Sequence, residues 1–93
     1  MLPDAIQDDV GALLSELQSA GLRVTDFRYD ESHFGNYLVE LVGSGGAFQI
    51  VRDRGYYHIG GDEEHLRRHG ALNSFKNLIE FREAVLIYAQ TIA

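Results

Sequence analysis

The chain of 93 residues contains no cysteine, no tryptophan and a single proline. Without cysteine it can form neither disulfides nor thiolate metal sites, which fits a reducing compartment. No stretch approaches the roughly 20 apolar residues that a membrane-spanning helix needs. The first residues, MLPDAIQDD, are acidic and lack the basic segment that opens a secretory signal peptide. We therefore expect a cytoplasmic protein.

The length predicts a single domain over residues 1–93. A chain of this size buries roughly 60–65% of the surface that its unfolded form exposes, which is enough for one core. The hydrophobic share of 45% is ordinary for a globular protein.

The formal net charge is −6, and the negative charges are unevenly distributed. The first 22 residues carry no lysine or arginine but four acidic residues: Asp4, Asp8, Asp9 and Glu16. An acidic surface repels phosphate backbones, which argues against nucleic-acid binding. It would attract a basic protein. The alternative is that the charge serves solubility alone.

The organising stretch runs from Tyr37 to Gly60. Residues 37–42 alternate between two faces with period two, which predicts a half-buried strand. The glycine-rich residues 43–46 predict a hairpin loop. Residues 47–53 then predict a second strand with Phe48 and Ile50 on one face. A turn in which Gly55 adopts the left-handed conformation leads to a third strand over residues 56–59.

Residues 23–30 predict a further strand before this stretch, which completes a four-stranded antiparallel meander. Val24 and Phe27 are out of phase by one residue, so we expect a β-bulge or a late strand start. Residues 31–36 predict a loop, with Phe34 packed under the sheet.

Residues 3–20 predict the first helix. Five residues form its apolar stripe: Ile6, Val10, Leu13, Leu14 and Leu17. Pro3 suits the first turn of a helix. Gly21 suits its C-terminal end, where Leu22 would pack back in a Schellman motif.

Two helices are predicted after the sheet. Asp62 caps a short one that ends at Gly70, and Asn73 or Ser74 caps a long final one. Its broad apolar face comprises Phe75, Leu78, Phe81, Val85, Leu86, Tyr88, Ala89 and Ile92. Arg82 falls inside that face and is expected to reach the edge or to pair with a carboxylate of the sheet. Ile87 is expected to be exposed. The fold class is α+β: both long helices pack on one face of the sheet in a two-layer sandwich.

His65 and His69 are four residues apart and would share a helix face, where Glu64 or His58 could add a metal ligand. A structural zinc site needs four ligands, and the alternative is a solvated helix face. We therefore predict no metal. The glycines of residues 43–46 lack the following lysine of a phosphate loop. With no nucleophile motif either, we expect no cofactor, no catalytic residue and no enzymatic activity.

Polar and aromatic residues cluster around the second hairpin: Arg52, Asp53, Arg54, Tyr56, Tyr57 and His58. Arginine and tyrosine supply large, specific contacts, so this cluster is a candidate recognition patch. The alternative is a charged turn in which Asp53 bonds its own backbone and the tyrosines pack on both faces of the strand.

A resemblance adds to this picture. Phe34-Gly35-Asn36, Val39 and the run from Ile50 to Gly55 resemble a pattern in short bacterial α/β proteins of uncharacterised function. The segment FKNLIEFRE, residues 75–83, matches their phenylalanine- and glutamate-rich C-terminal helix. Those proteins resemble immunity proteins, the cytoplasmic inhibitors of toxins exchanged between bacteria. The resemblance covers roughly residues 25–90 and implies a toxin-binding role, with no shared site residues.

The expected function is therefore sequestration of one protein partner, a basic toxin domain, by occlusion of its active site. Two surfaces are candidates for contacting it. The first comprises Asp4, Asp8, Asp9 and Glu16. The second, on the sheet, comprises Glu40, Arg52, Arg54, Tyr56 and His58. The alternative is a structural domain that forms a homodimer through the open sheet face, carrying Leu38, Val42 and Tyr56. A third hypothesis is a metal or small-ligand protein that uses His58, His65 and His69.

Overall fold

The computed structural model describes residues 2–33 and 35–93 and shows an α+β fold. Its elements are α1 (Asp4–Ser19), β1 (Arg23–Asp30), β2 (Asn36–Gly43), β3 (Gly46–Asp53), β4 (Tyr56–Gly60), α2 (Glu63–Arg68), β5 (Ser74–Phe75) and α3 (Leu78–Ala89). The N- and C-terminal helices pack on one face of a single antiparallel sheet, as the sequence predicts. The predicted packing of Phe34 lies outside the described residues.

The strands form one sheet in the order β1-β2-β3-β4-β5, which confirms the meander but not its predicted count of four strands. The fifth strand, β5, pairs Phe75 with Tyr57 and Ser74 with His58. It arises because the chain, after α2, returns along the free edge of β4. A strand of two residues has no periodicity of its own, so the sequence pattern did not reveal it.

Two tight turns connect β2, β3 and β4. Arg54 and Gly55 have φ angles of 54° and 83°, the two positive values of a type I′ hairpin turn. In the other hairpin, the amide of Gly45 donates to the carbonyl oxygen of Ile92 at 2.7 Å. A Cβ on Gly43 would lie 2.6 Å from that same oxygen. The glycines of this loop therefore allow the C-terminal segment to approach the hairpin closely.

The predicted β-bulge is present in β1. Val24 pairs with Leu41 and Asp26 pairs with Glu40, so Thr25 is the additional residue. The bulge restores the phase, because Val24 and Phe27 then both point to the face that packs on the helices.

The first two helices begin and end close to the predicted positions. All five residues of the predicted α1 stripe are buried. The amides of Gly21 and Leu22 donate to the carbonyls of Gln18 and Leu17, which is the predicted Schellman motif. Asp62 caps α2 by accepting hydrogen bonds from two backbone amides of its first turn. Gly70, with a φ of 67°, follows its end.

The prediction for the start of the final helix was wrong. Neither Asn73 nor Ser74 caps α3; its cap is Asn77, whose Oδ1 accepts hydrogen bonds from the amides of Ile79 and Glu80 at 2.7 and 3.3 Å. The helix starts three or four residues later than expected because residues 74–75 are taken into the sheet.

The core lies between the sheet and the helices. It contains residues from α1, α2, α3 and one face of the sheet in a single cluster. Arg82 reaches the edge of the core and is exposed, which is one of the two predicted alternatives; it pairs with Glu16 of α1 and not with a carboxylate of the sheet. Ile87 is exposed, as predicted, with 65% of its surface accessible. None of the described helices is long and apolar enough to cross a membrane.

Candidate functional site

The sheet has one face that packs on the helices, the helix face, and one that does not, the outer face. Residues opposite one another in neighbouring strands point to the same side, so the strand register assigns the residues to the faces. The outer face comprises Arg23, Asp26, Arg28, Asp30, Asn36, Leu38, Glu40, Val42, Ala47, Gln49, Val51, Asp53, Tyr56, His58 and Gly60. None of these belongs to the buried core.

A shallow hollow lies at one end of the outer face. Leu38 of β2 and Val51 of β3 are direct cross-strand neighbours there, and both are half-buried. The hollow has a volume of about 220 Å³, and Arg28, Asp30 and Asp53 also line it. Two aliphatic side chains are thus bordered by charged groups of both signs, a common arrangement at protein-binding surfaces.

Hydrogen bonds hold the border of the hollow in place. The Asn36 side chain donates to Asp53 Oδ1 at 3.2 Å and accepts from the backbone amide of Arg54 at 2.9 Å. On the other side, His33 Nδ1 lies 2.7 Å from the Asp30 carboxylate. This contact with His33 lowers the pKa of Asp30. Both aspartates are exposed and each has a hydrogen-bonding neighbour at the surface.

Three of the predicted contact residues share the outer face. Glu40 accepts a hydrogen bond from the Thr25 hydroxyl at 2.8 Å. Tyr56 is 42% exposed, and the Lys76 ammonium lies 5.6 Å from its ring centre. His58 is half-buried on β4. Arg54, the fourth, lies in the adjoining turn.

The strand residues of the outer face include charged groups of both signs. The strands contribute four carboxylates and two guanidinium groups, and two further cations border the face: Arg54 in the adjoining turn and Lys76 beside Tyr56. The carboxylates are Asp26, Asp30, Glu40 and Asp53, and the guanidinium groups are Arg23 and Arg28. With Arg54 and Lys76 included, the charges on and around the face balance, and the negative net charge of −6 belongs to the chain as a whole.

Arg52, the fifth residue predicted for this surface, lies on the other side of the sheet. It pairs with Tyr37 and with Tyr57, both of which are buried on the helix face. Its guanidinium group lies 5.3 Å from the Tyr57 ring centre, and its Nη1 is 3.3 Å from Oδ2 of Asp9. The prediction that Arg52 shares one surface with Glu40, Tyr56 and His58 was therefore wrong. Its charge suggested the outer face, although its position in β3 follows the phase of Ile50.

Asp9 is likewise not part of an open acidic surface. Only 19% of its side chain is accessible, and it accepts hydrogen bonds from the Tyr37 hydroxyl at 2.5 Å and the Tyr57 hydroxyl at 2.9 Å. Together with Arg52, these residues form a polar cluster that joins α1 to β2, β3 and β4. Each acceptor oxygen of Asp9 thus has a donor, as a mostly buried carboxylate requires.

Burial raises the pKa of the Tyr37 hydroxyl, and the hydrogen bond to Asp9 raises it further. The same two causes raise the pKa of Tyr57. Both hydroxyls therefore remain donors at neutral pH, which suits a structural cluster. A signal for this cluster was present in the sequence, since Asp9 falls three residues after Ile6, beside the apolar stripe of α1.

The predicted helix surface is thereby reduced to Asp4 and Asp8, which are exposed. Glu16 is exposed too but pairs with Arg82. Of four acidic residues expected to face a partner, two already have partners within the chain. The helix surface is therefore a weaker candidate than the outer face.

The three histidines of the metal hypothesis are separated. His58 lies on the outer face, whereas His65 and His69 face α3, with His65 Nδ1 only 2.7 Å from the Tyr88 hydroxyl. The rings of His65 and His69 are 4.5 Å apart. Within residues 2–33 and 35–93, no group of three or more histidine, cysteine or acidic side chains could hold a metal ion.

No family model, no curated protein and no solved structure matches this chain significantly.

Proposed function

We propose that this protein binds one basic protein partner through the outer face of its sheet and sequesters it. The partner that the sequence resemblance implies is a toxin domain. In this proposal the protein acts by binding and not by catalysis.

The observation that carries the proposal is the hollow on the outer face. Leu38 and Val51 offer apolar area beside the carboxylates of Asp30 and Asp53. An apolar anchor from a partner would fill the hollow, while its lysines and arginines would meet the surrounding carboxylates. The face is already formed by a regular sheet, so binding requires little ordering of the chain.

The mechanism is occlusion. The net charge of −6 of the whole chain attracts a basic partner and accelerates association. Desolvation of Leu38, Val51 and the neighbouring Tyr56 would then slow dissociation, since buried aromatic and aliphatic contacts dominate complex lifetimes. A partner whose catalytic cleft is basic would have that cleft covered by the sheet.

The test compares two variants with the same change in net charge. Glu40→Lys with Asp53→Lys alters the outer face, and Asp4→Lys with Asp8→Lys alters exposed positions of α1. Wild type and both variants are tagged, used to capture proteins from the native host's lysate, and compared by quantitative mass spectrometry. Circular dichroism and thermal unfolding first establish that all three are folded.

We expect one basic protein to be enriched by wild type and by the α1 variant and lost from the outer-face variant. Binding kinetics with that purified protein should show at least a tenfold lower association rate for the outer-face variant. Equal capture by both variants would contradict the assignment of this surface. Enrichment of no protein by wild type would contradict sequestration of a partner from the same cell.

A further inference from the structure

The strand β1 is an edge of the sheet along its whole length. It pairs with β2 on one side, and the structure places no described strand on its other side. A free edge exposes backbone donors and acceptors that another strand can use. The opposite edge differs, because β5 covers part of β4.

The backbone amides and carbonyls that point away from β2 belong to Phe27 and Tyr29. In an antiparallel ladder, hydrogen-bonded and non-hydrogen-bonded residue pairs alternate. Gly43 and Gly46, which close the two-residue hairpin, form a hydrogen-bonded pair, so Val39, four residues before Gly43, hydrogen-bonds to β3 and not to β1. Phe27, opposite Val39, therefore points its amide and carbonyl outward. Its amide is satisfied locally, by Oδ1 of Asp26 at 2.8 Å.

Apolar surface accompanies this edge. Phe27 is 37% exposed although its side chain is on the helix face. A hollow of about 350 Å³ adjoins it, and Leu2 and Val24 are among its other lining residues. An added strand would cover the Phe27 ring as well as complete the backbone hydrogen bonds.

The residues on either side of Phe27 carry opposite charges, so β1 is complementary to an antiparallel second copy of itself. In an antiparallel pair of β1 strands with Phe27 opposite Phe27 of the second copy, Asp26 of each copy faces Arg28 of the other. Opposite charges in direct cross-strand positions stabilise a sheet. The register centred on Arg28 would instead oppose two guanidinium groups. In the register centred on Tyr29, Arg28 would face Asp30, which already pairs with His33.

We propose that two copies of this chain associate through β1, about a two-fold axis at Phe27. Two sheets of five strands then form one continuous sheet of ten. In the dimer the Asp26 carboxylate pairs with Arg28 of the partner copy and no longer accepts from the amide of Phe27. That amide then donates to the backbone of the partner copy. The β-bulge at Thr25 limits the paired segment, so the dimer is weak and depends on concentration.

This dimer does not depend on the binding function proposed above, but it would affect it. The two-fold axis is perpendicular to the sheet, so both outer faces lie on the same side of the dimer. A partner with two equivalent sites would then be bound by two faces at once, which increases the apparent affinity.

The test uses charge swaps at Asp26 and Arg28, read by sedimentation equilibrium of the full chain over a range of concentrations. Wild type should associate reversibly to a dimer. Asp26→Arg and Arg28→Asp should each lower the association constant at least tenfold, because like charges then face one another. Their equimolar mixture should form a one-to-one dimer, since every facing pair is again opposite in charge. Asp8→Arg makes the same charge change as Asp26→Arg, but on α1, and should leave the association constant unchanged.

Wild type that remains monomeric at the highest attainable concentration would overturn the proposal. So would folded Asp26→Arg and Arg28→Asp chains that fail to associate when mixed. Dimers that form equally in all variants would place the interface elsewhere and overturn it as well.

Discussion

The hydroxyl of Tyr37 on β2 donates a hydrogen bond of 2.5 Å to Oδ2 of Asp9 on α1. This bond, with a second from Tyr57, fixes the first helix over the sheet by polar contacts within an otherwise apolar interface. Asp9→Asn removes the charge and one acceptor oxygen. We expect it to lower the free energy of unfolding by about 1–3 kcal/mol, because two partly buried hydroxyls lose their charged acceptor. Chemical denaturation measures the change.

Asp8→Asn is the matched control for this prediction. Asp8 is the neighbouring residue on the same helix and is exposed. Its substitution should change the stability by less than about 0.5 kcal/mol. Equal effects of the two substitutions would mean that the cluster of Asp9, Tyr37 and Tyr57 contributes only through the general charge of α1.

The raised pKa of Tyr37 predicts a loss of stability in alkali. In the folded chain, burial and Asp9 keep the hydroxyl protonated. In the unfolded chain, the hydroxyl releases that proton at about pH 10. The contribution is therefore complete below about pH 10 and is lost as the pH rises toward the folded pKa. Each such tyrosine lowers the free energy of unfolding by about 1.4 kcal/mol per pH unit in that range.

Tyr37→Phe should give a shallower pH dependence than wild type by about that slope. Denaturant unfolding at several pH values between about 9 and about 11.5 provides the comparison, a range chosen around the ordinary pKa of tyrosine. Tyr57 and Tyr88 also have raised pKa values, so the variant should retain part of the dependence. Parallel curves for the two proteins would contradict the protonated hydroxyl.

The glycine at position 43 is required by packing. A Cβ there would lie 2.6 Å from the carbonyl oxygen of Ile92 and 2.8 Å from Cδ2 of Leu22. Gly43→Ala should therefore lower the free energy of unfolding by about 1–3 kcal/mol, since the backbone of the C-terminal segment must move. Thermal or denaturant unfolding measures it.

Gly11→Ala is the opposite case. This glycine lies inside α1, and the nearest atom to its Cβ would be the flexible end of Gln7, at 3.1 Å. Alanine should raise the stability by about 0.5–1 kcal/mol through helix propensity. If Gly43→Ala and Gly11→Ala change the free energy of unfolding in the same direction, the close approach at Gly43 does not determine the effect of alanine there.

Hydrophobic periodicity was sufficient to predict the two-layer fold. The stripe of Ile6, Val10 and Leu17 and the alternation around Val39 each place one apolar face toward the core, and the structure buries all of them. These patterns are local, so they can be read without knowing which residues meet in space.

The polar cluster could not be predicted in the same way. Arg52 and Asp9 are 43 residues apart, and no sequence pattern links them. The phase of Arg52 with Ile50 and the position of Asp9 beside the stripe of α1 each indicated the side facing the core, but the charges of both residues suggested exposure. The outer face was easier, because Glu40, Tyr56 and His58 follow from strand alternation once the helix face is known.

The start of α3 shows how long-range pairing decides between equivalent local signals. Asn73, Ser74 and Asn77 are all residue types that cap helices, but the pairing of residues 74–75 with β4 leaves Asn77 as the cap. Asn77→Ala should lower the free energy of unfolding by about 1 kcal/mol. Ser74→Ala, at an exposed position of β5, should change it by less than about 0.5 kcal/mol. The reverse order in denaturant unfolding would favour a helix that begins earlier.

Arg54 occupies a backbone conformation that suits another residue better. Its φ of 54° lies in the left-handed region, which costs an ordinary L-residue roughly 1–2 kcal/mol, and 82% of its side chain is accessible. Asparagine is favoured at this position of a type I′ turn before glycine. Arg54→Asn keeps the backbone amide that donates to Asn36 and loses only a distant, exposed pairing with Asp53, 3.9 Å away.

We therefore expect Arg54→Asn to raise the free energy of unfolding by about 0.5–1 kcal/mol. Arg54→Ala is the control, because alanine removes the same side chain without favouring the left-handed conformation, and it should give no gain. A stability for Arg54→Asn no higher than for Arg54→Ala would contradict the strain at this turn. If the gain is observed, this chain keeps arginine at the turn despite its cost in stability. A weaker capture of the basic partner by the stabilised variant would then assign Arg54 to the binding surface beside Asp53.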